Sequence, residues 1–138
     1  MKQIALKIPS ERIIGFTIPR DGIFLVCDHN EVWRVHIGPP ASIEVTDSAP
    51  YEIADSHADF VGWGQEKGRE LKRVGSTQIS YAFDPPHDFL TLDCKTSDRV
   101  ETIKFRTFSG DWFSASLSVD GRFLVLAEPY LLELYDLA

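Results

Sequence analysis

Apolar residues in this chain recur at alternate positions or gather in short runs of strand length, and the polar breaks between them are rich in Gly, Pro, Asp and Asn. Ile4 to Ile8 alternates weakly, and Arg12 to Ile18 (RIIGFTI) reads as a strand. Pro19-Arg20-Asp21-Gly22 then turns the chain, with Pro fixing φ and Gly tolerating the positive φ such turns need. Ile23 to Cys27 is a continuous apolar run. Glu31 to Ile37 sets Trp33, Val35 and Ile37 on one face against Val32, Arg34 and His36 on the other, which places Trp33 in the core. Gly38-Pro39-Pro40 interrupts the pattern, and Ser42 to Thr46 resumes it.

The second half repeats this rhythm at Gln78 to Phe83, Phe89 to Asp93 and Val100 to Phe105, then in three closely spaced strands over Ala115 to Leu137. The middle is ambiguous. Tyr51 to Trp63 reads either as two strands around a turn at Ser56 to Asp59, or as the start of a helix with Ser48 as N-cap and Pro50 and Glu52 in its first turn. Gly62, Gly64 and Gly68 argue against a long helix here. Arg69 to Val74 fits a helical turn or an exposed strand.

The turns also align with one another. Gly22, Asp59, Asp88 and Gly121 come into register at intervals of roughly 30–40 residues, the length of a small repeat unit. Each has an Asp at or beside it (Asp21, Asp59, Asp88, Asp120), whose carboxylate can cap the turn's own amides. Four units follow, over 12–37, 51–75, 78–105 and 112–137, within one β-rich domain spanning 1–138.

The last unit, SVDGRFLVLAEPYLLELYDL, resembles a WD-type propeller blade. Ser118-Val119-Asp120-Gly121 matches that family's turn and Tyr135-Asp136 its terminal pair. The unit at Gly15 to Ile37 is similar at Asp21-Gly22 and Val32-Trp33, while the family's Gly-His pair occurs nowhere. The resemblance implies an all-β antiparallel meander of blade-like repeats, a small propeller. The alternative is a closed β-barrel or sandwich with a short helix in 48–75, since exposed strand edges must be covered.

Composition narrows the functional classes. The chain has 138 residues, 14 Lys and Arg against 21 Asp and Glu, and a formal net charge of −7. That balance opposes nucleic-acid binding, which rests on cations neutralising phosphates, and suits a basic protein partner. Cys27 and Cys94 have no metal-like spacing and read as two buried thiols. The start, MKQIALKIPSER, is too short in apolar residues for a signal segment, and no run has the length of a membrane span. A cytoplasmic protein with no membrane partner is expected.

Candidate chemistry is sparse. Asp55, His57 and Asp59 alternate, and on a strand they would share a face; with His87 in the next aligned turn they form the one imaginable metal-ligand set. A solvated polar turn is the simpler account of the same residues. No Gly-x-Ser-x-Gly elbow, phosphate-binding loop, HExxH helix or dinucleotide fingerprint occurs, so no cofactor is expected. For binding, Trp63 between glycines is the best candidate for exposure, joined by Tyr51 and Tyr130. The expected function is a non-catalytic protein-interaction module, in its narrower form an acidic inhibitor or immunity-type binder of a basic partner; a homodimer pairing open sheet edges fits the same pattern. The alternative is a metal-dependent or hydrolytic enzyme using the Asp/His turns.

Overall fold

Hairpins with short turns build most of this chain, and a few turn residues set their geometry. Asp21 (φ +54°) and Gly22 (φ +75°) both sit in the left-handed region, and Arg20 and Ile23 exchange backbone hydrogen bonds of 3.0 and 3.1 Å across them. That is the turn whose twist matches the strands it joins. The computed structural model describes residues 1–9, 12–63, 69–82 and 89–138. In chain order the strands are β1 (Lys2–Ile4), β2 (Ile13–Thr17), β3 (Ile23–Asp28), β4 (Val32–His36) and β5 (Ser42–Val45). The helix α1 (Pro50–Ser56) follows, then β6 (Phe60–Gly62), β7 (Arg73–Val74), β8 (Thr77–Tyr81), β9 (Phe89–Lys95), β10 (Val100–Arg106), β11 (Ser114–Leu117), β12 (Phe123–Glu128) and β13 (Leu131–Asp136).

They form three antiparallel sheets, ordered β5-β4-β3-β2-β6, β1-β13-β12-β11 and β10-β9-β8-β7. The β1/β13/β12/β11 sheet lies between the other two. From its one face Phe123, Val125, Ala127 and Leu134 pack with Phe16, Phe24, Val26 and Val35 of the first sheet. From the opposite face Leu124, Leu126 and Tyr135 pack with Ile79, Leu90, Leu92 and Phe105 of the third. Every residue of β12 is therefore buried, whereas β9 alternates exposed and buried along its length. Burying a Leu or Phe side chain contributes roughly 1.5–3 kcal/mol, so β12 feeds two cores with one strand. The outer face of the first sheet carries Ile14, Cys27, Val32 and Phe60, closed by Ile53 and Ala54 of α1.

This architecture corrects the propeller and the resemblance behind it. Among the described residues each sheet is open and keeps two edge strands, so no sheet curls into a barrel and there is no closed sandwich. Among the described residues only the central sheet has a sheet on both faces, and a ring would require that of all of them. The ranges 12–37, 78–105 and 112–137 each run through one sheet, while 51–75 is divided among α1, β6 of the first sheet and β7 of the third. The Tyr135-Asp136 pair builds no blade network: Tyr135 donates to Glu133 at 3.0 Å, and Asp136 pairs with Arg122 at 3.2 Å. The Asp-Gly turns reported hairpins, which any antiparallel sheet needs. Helix α1 has Pro50 in its first turn and Glu52 beside it, but its N-cap is Ala49, with no side-chain cap, and not Ser48.

Candidate functional site

Arg12 stands just before β2, where the first and central sheets come closest. The Ile13 amide donates to Pro129 O at 2.6 Å, tying the entry of β2 to the β12–β13 turn. On the other side of β2, Gly15 pairs with Gly62 of β6. A side chain on Gly15 would stand 2.4 Å from the Phe60 ring, and one on Gly62 would stand 2.4 Å from Ile14 O. Two glycines thus let β6 press onto β2, and the next residue, Trp63, is fixed by its amide to Ile14 O at 2.8 Å. Its indole is 55% exposed.

Trp63, Trp112, Ile13 and Ile14 line a cavity of about 280 Å³ whose rim is Arg12 and His29. A second depression of about 560 Å³ continues from the same Arg12 and His29 past Trp33, Asp28 and Glu31. All three tryptophans of the chain thus face one groove; Trp33 and Trp112 form its buried walls and Trp63 its open lip. Arg12 pairs with Asp111, donates to the Tyr130 hydroxyl at 3.4 Å and lies 5.8 Å from that ring's centre. His29 Nδ1 and the Tyr51 hydroxyl share a hydrogen bond of 2.6 Å. The exposed aromatics Tyr51, Trp63 and Tyr130 therefore stand around Arg12 and His29, although they come from α1, the residue after β6 and the β12–β13 turn.

Two carboxylates hold the rim. Glu128 has no exposed surface, and its oxygens accept amides of Phe108 at 2.5 Å, Ser109 at 3.4 Å and Tyr130. It locks the Thr107–Asp111 loop and Tyr130 together. Asp28 accepts the amides of Asn30 at 2.7 Å and Glu31 at 2.6 Å, closing the β3–β4 turn that presents His29. Neither carboxylate was singled out by the sequence, nor were Arg12 and His29. In sequence Arg12 is simply the first residue of the strand read over Arg12 to Ile18.

The Asp/His candidates are placed differently. Asp55 is exposed on α1; His57 follows the helix, and its Nδ1 accepts the Asp59 amide at 3.1 Å. The Asp59 carboxylate pairs with Arg20 at 3.3 Å, which with this neighbour is held above the ordinary arginine range. His87 and Asp88 lie outside the described residues. Among the described residues no group of three or more His, Cys, Asp or Glu side chains comes together as a metal site.

Both cysteines are buried free thiols, and burial pushes Cys27 up to about 12, with Asp28 adding to the shift. Such a thiol is a poor nucleophile. His29 is engaged by a phenol and not by a serine, threonine or cysteine. Another depression of about 580 Å³ lies between β1 and the Gly38-Pro39-Pro40 bend, lined by Ile4, Ile37, Phe123 and the Arg122–Asp136 pair. It gathers fewer aromatic side chains than the tryptophan groove. No protein-family model, curated protein or solved structure matches this chain. What the groove around Arg12 offers chemically is an aromatic, partly acidic surface.

Proposed function

We propose that this chain is a non-catalytic protein-interaction module that binds a basic partner protein through the groove around Arg12 and His29. The observation that carries the reading is that Tyr51, Trp63 and Tyr130, all about half exposed, stand around Arg12 and His29, the two residues shared by the depressions that Trp33 and Trp112 wall. Exposed aromatics beside a preformed cavity are the usual anchors of an interface, worth 2 kcal/mol or more each at about 30-fold in affinity.

Charge supports a basic partner. Asp28 and Glu31 line the groove beside Arg12, whose guanidinium is already paired with Asp111. The whole chain carries −7, which speeds encounter with a cationic surface and weakens as salt rises. Two free thiols suit the reducing cytoplasm.

The test is quantitative affinity capture from the native host, comparing the wild-type chain with Trp63→Ala. Trp63 is exposed and its fixed contact is a backbone one, so the variant keeps its fold. The expected result is a basic protein retained by the wild type, released by moderate salt, and bound about 30-fold more weakly by Trp63→Ala. An identical capture profile for the two chains, or retention indifferent to ionic strength, refutes the reading.

A further inference from the structure

The β7–β10 sheet buries one face against the central sheet and leaves the other bare. Its open face follows from the register: Arg106 stands beside Phe89, Lys104 beside Thr91, and Thr102 beside Asp93 and Ser80, while Val100, Lys95, Gln78 and Arg73 share the last row. All of these side chains are exposed. Four cations thus share the face with a single carboxylate, Asp93, which accepts the Thr102 hydroxyl at 2.7 Å. In a chain with net charge −7 this is a local reversal of sign. Lys95, Lys104, Arg106 and Arg73 have no ion-pair partner among the described residues. Arg106 lies between two exposed rings, 5.7 Å from the centre of Phe89 and 5.3 Å from that of Phe108.

The same sheet ends in an open edge. β10 is seven residues long, pairs only with β9, and receives no other backbone hydrogen bond among the described residues. A long edge of this kind exposes alternating N–H and C=O groups, a template for another strand. Its cations repel some strands and favour others.

We propose that the β10 edge and the cationic face beside it dock an extended acidic segment of a second partner protein, added as a strand in which acidic residues alternate with apolar ones. Side chains of an added strand alternate between faces. Those on the open face stand beside Thr102, Lys104 and Arg106 and are matched by carboxylates; those on the inner face stand beside Ile103 and Phe105 and are matched by apolar groups.

The edge selects against two other occupants. A second copy of this chain, paired antiparallel about Ile103, would bring both copies' Lys104 and Arg106 onto one face, where β10 offers no carboxylate because its one acidic residue, Glu101, shares the inner face with Ile103 and Phe105. A nucleic-acid strand would meet the cations with its phosphates, but that backbone only accepts hydrogen bonds and has no regular row of donors to match the edge carbonyls as a β-strand does.

The test uses the full chain and a soluble synthetic peptide alternating Glu and Val, followed by backbone amide NMR and fluorescence anisotropy. Binding is expected to shift the amides of Val100 to Arg106 most strongly. The Lys104→Glu/Arg106→Glu variant should bind this peptide at least about tenfold more weakly and gain affinity for the matching Lys–Val peptide. A milder Lys104→Gln/Arg106→Gln variant, with an unchanged near-UV circular dichroism spectrum, should show an intermediate loss. Trp63→Ala should leave this binding unchanged, which separates the edge from the aromatic groove. Absence of amide shifts at β10, indifference to charge reversal, preference for a single-stranded oligonucleotide over the peptide, or a β10-mediated homodimer in sedimentation overturns the proposal.

Discussion

A carboxylate with no exposed surface, such as that of Glu128, persists in a β core only when its oxygens are fully engaged. Three backbone amides satisfy it here, two from the Thr107–Asp111 loop and one from Tyr130. Glu128→Gln keeps the volume but turns one acceptor into a donor that faces amide donors. The expected cost is about 2–3 kcal/mol in urea denaturation, with the Tyr130 side of the groove loosened first. An unchanged midpoint would show that the loop is held by other contacts.

Nothing in the apolar run leading to Glu128 announces this role; in sequence it is one polar residue at a strand end. Arg12 was equally hidden, because its partners Tyr130 and Asp111 lie 118 and 99 residues away. Trp63 was legible as exposed from its flanking glycines. The structural reason is more specific: Gly62 is needed where β6 presses onto Gly15, and Trp63 leaves the sheet at that point.

Among the elements, turns are where local chemistry and sequence agree most closely. In the turn before β12, Ser118 donates to Asp120 at 2.5 Å, Asp120 accepts the Arg122 amide at 3.0 Å, and the Phe123 amide donates to Ser118 Oγ at 3.0 Å. The Ser118 hydroxyl above all, and then the Arg122 amide, hold the Asp120 carboxyl below its usual range. A carboxylate with a depressed folded pKa stabilises the fold above its unfolded pKa of about 4, and that contribution is lost as pH falls through the folded value. Asp120→Asn should therefore cost about 1 kcal/mol at neutral pH, allowing for solvent screening, and should flatten the stability loss below about pH 4. Thermal melts of both proteins across pH 2 to 7 measure it; parallel curves would remove Asp120 from the acid sensitivity.

The strands were readable because alternation survives wherever one face is buried, as in β9 and β10. Helix α1 was readable only as one of two options. Seven residues carry little periodicity, and the Ser expected to cap it lies one residue before the true N-cap.

At the scale of the molecule, the Asp-Gly turns at 21–22 and 120–121 each close a hairpin and are silent about how sheets stack, because stacking depends on which faces meet and not on turn chemistry. The order of layers follows from β12, a six-residue strand buried along its whole length and facing a sheet on each side. Its odd-numbered residues serve the core shared with the first sheet and Leu124 and Leu126 the core shared with the third, so a strain in either core is felt by the same backbone. Coupling of this kind makes unfolding cooperative across the layers. Leu92, fully buried on the third sheet, provides the probe. Leu92→Ala removes packing far from the three tryptophans and should cost about 3 kcal/mol. If the central sheet transmits the loss, urea transitions followed by tryptophan fluorescence at the groove and by amide signals of β9 shift together and stay coincident. Were the β9 signals to melt first while the tryptophans kept the wild-type midpoint, the β7–β10 sheet would be an independently unfolding layer, and the edge of β10 would open and close without disturbing the aromatic groove.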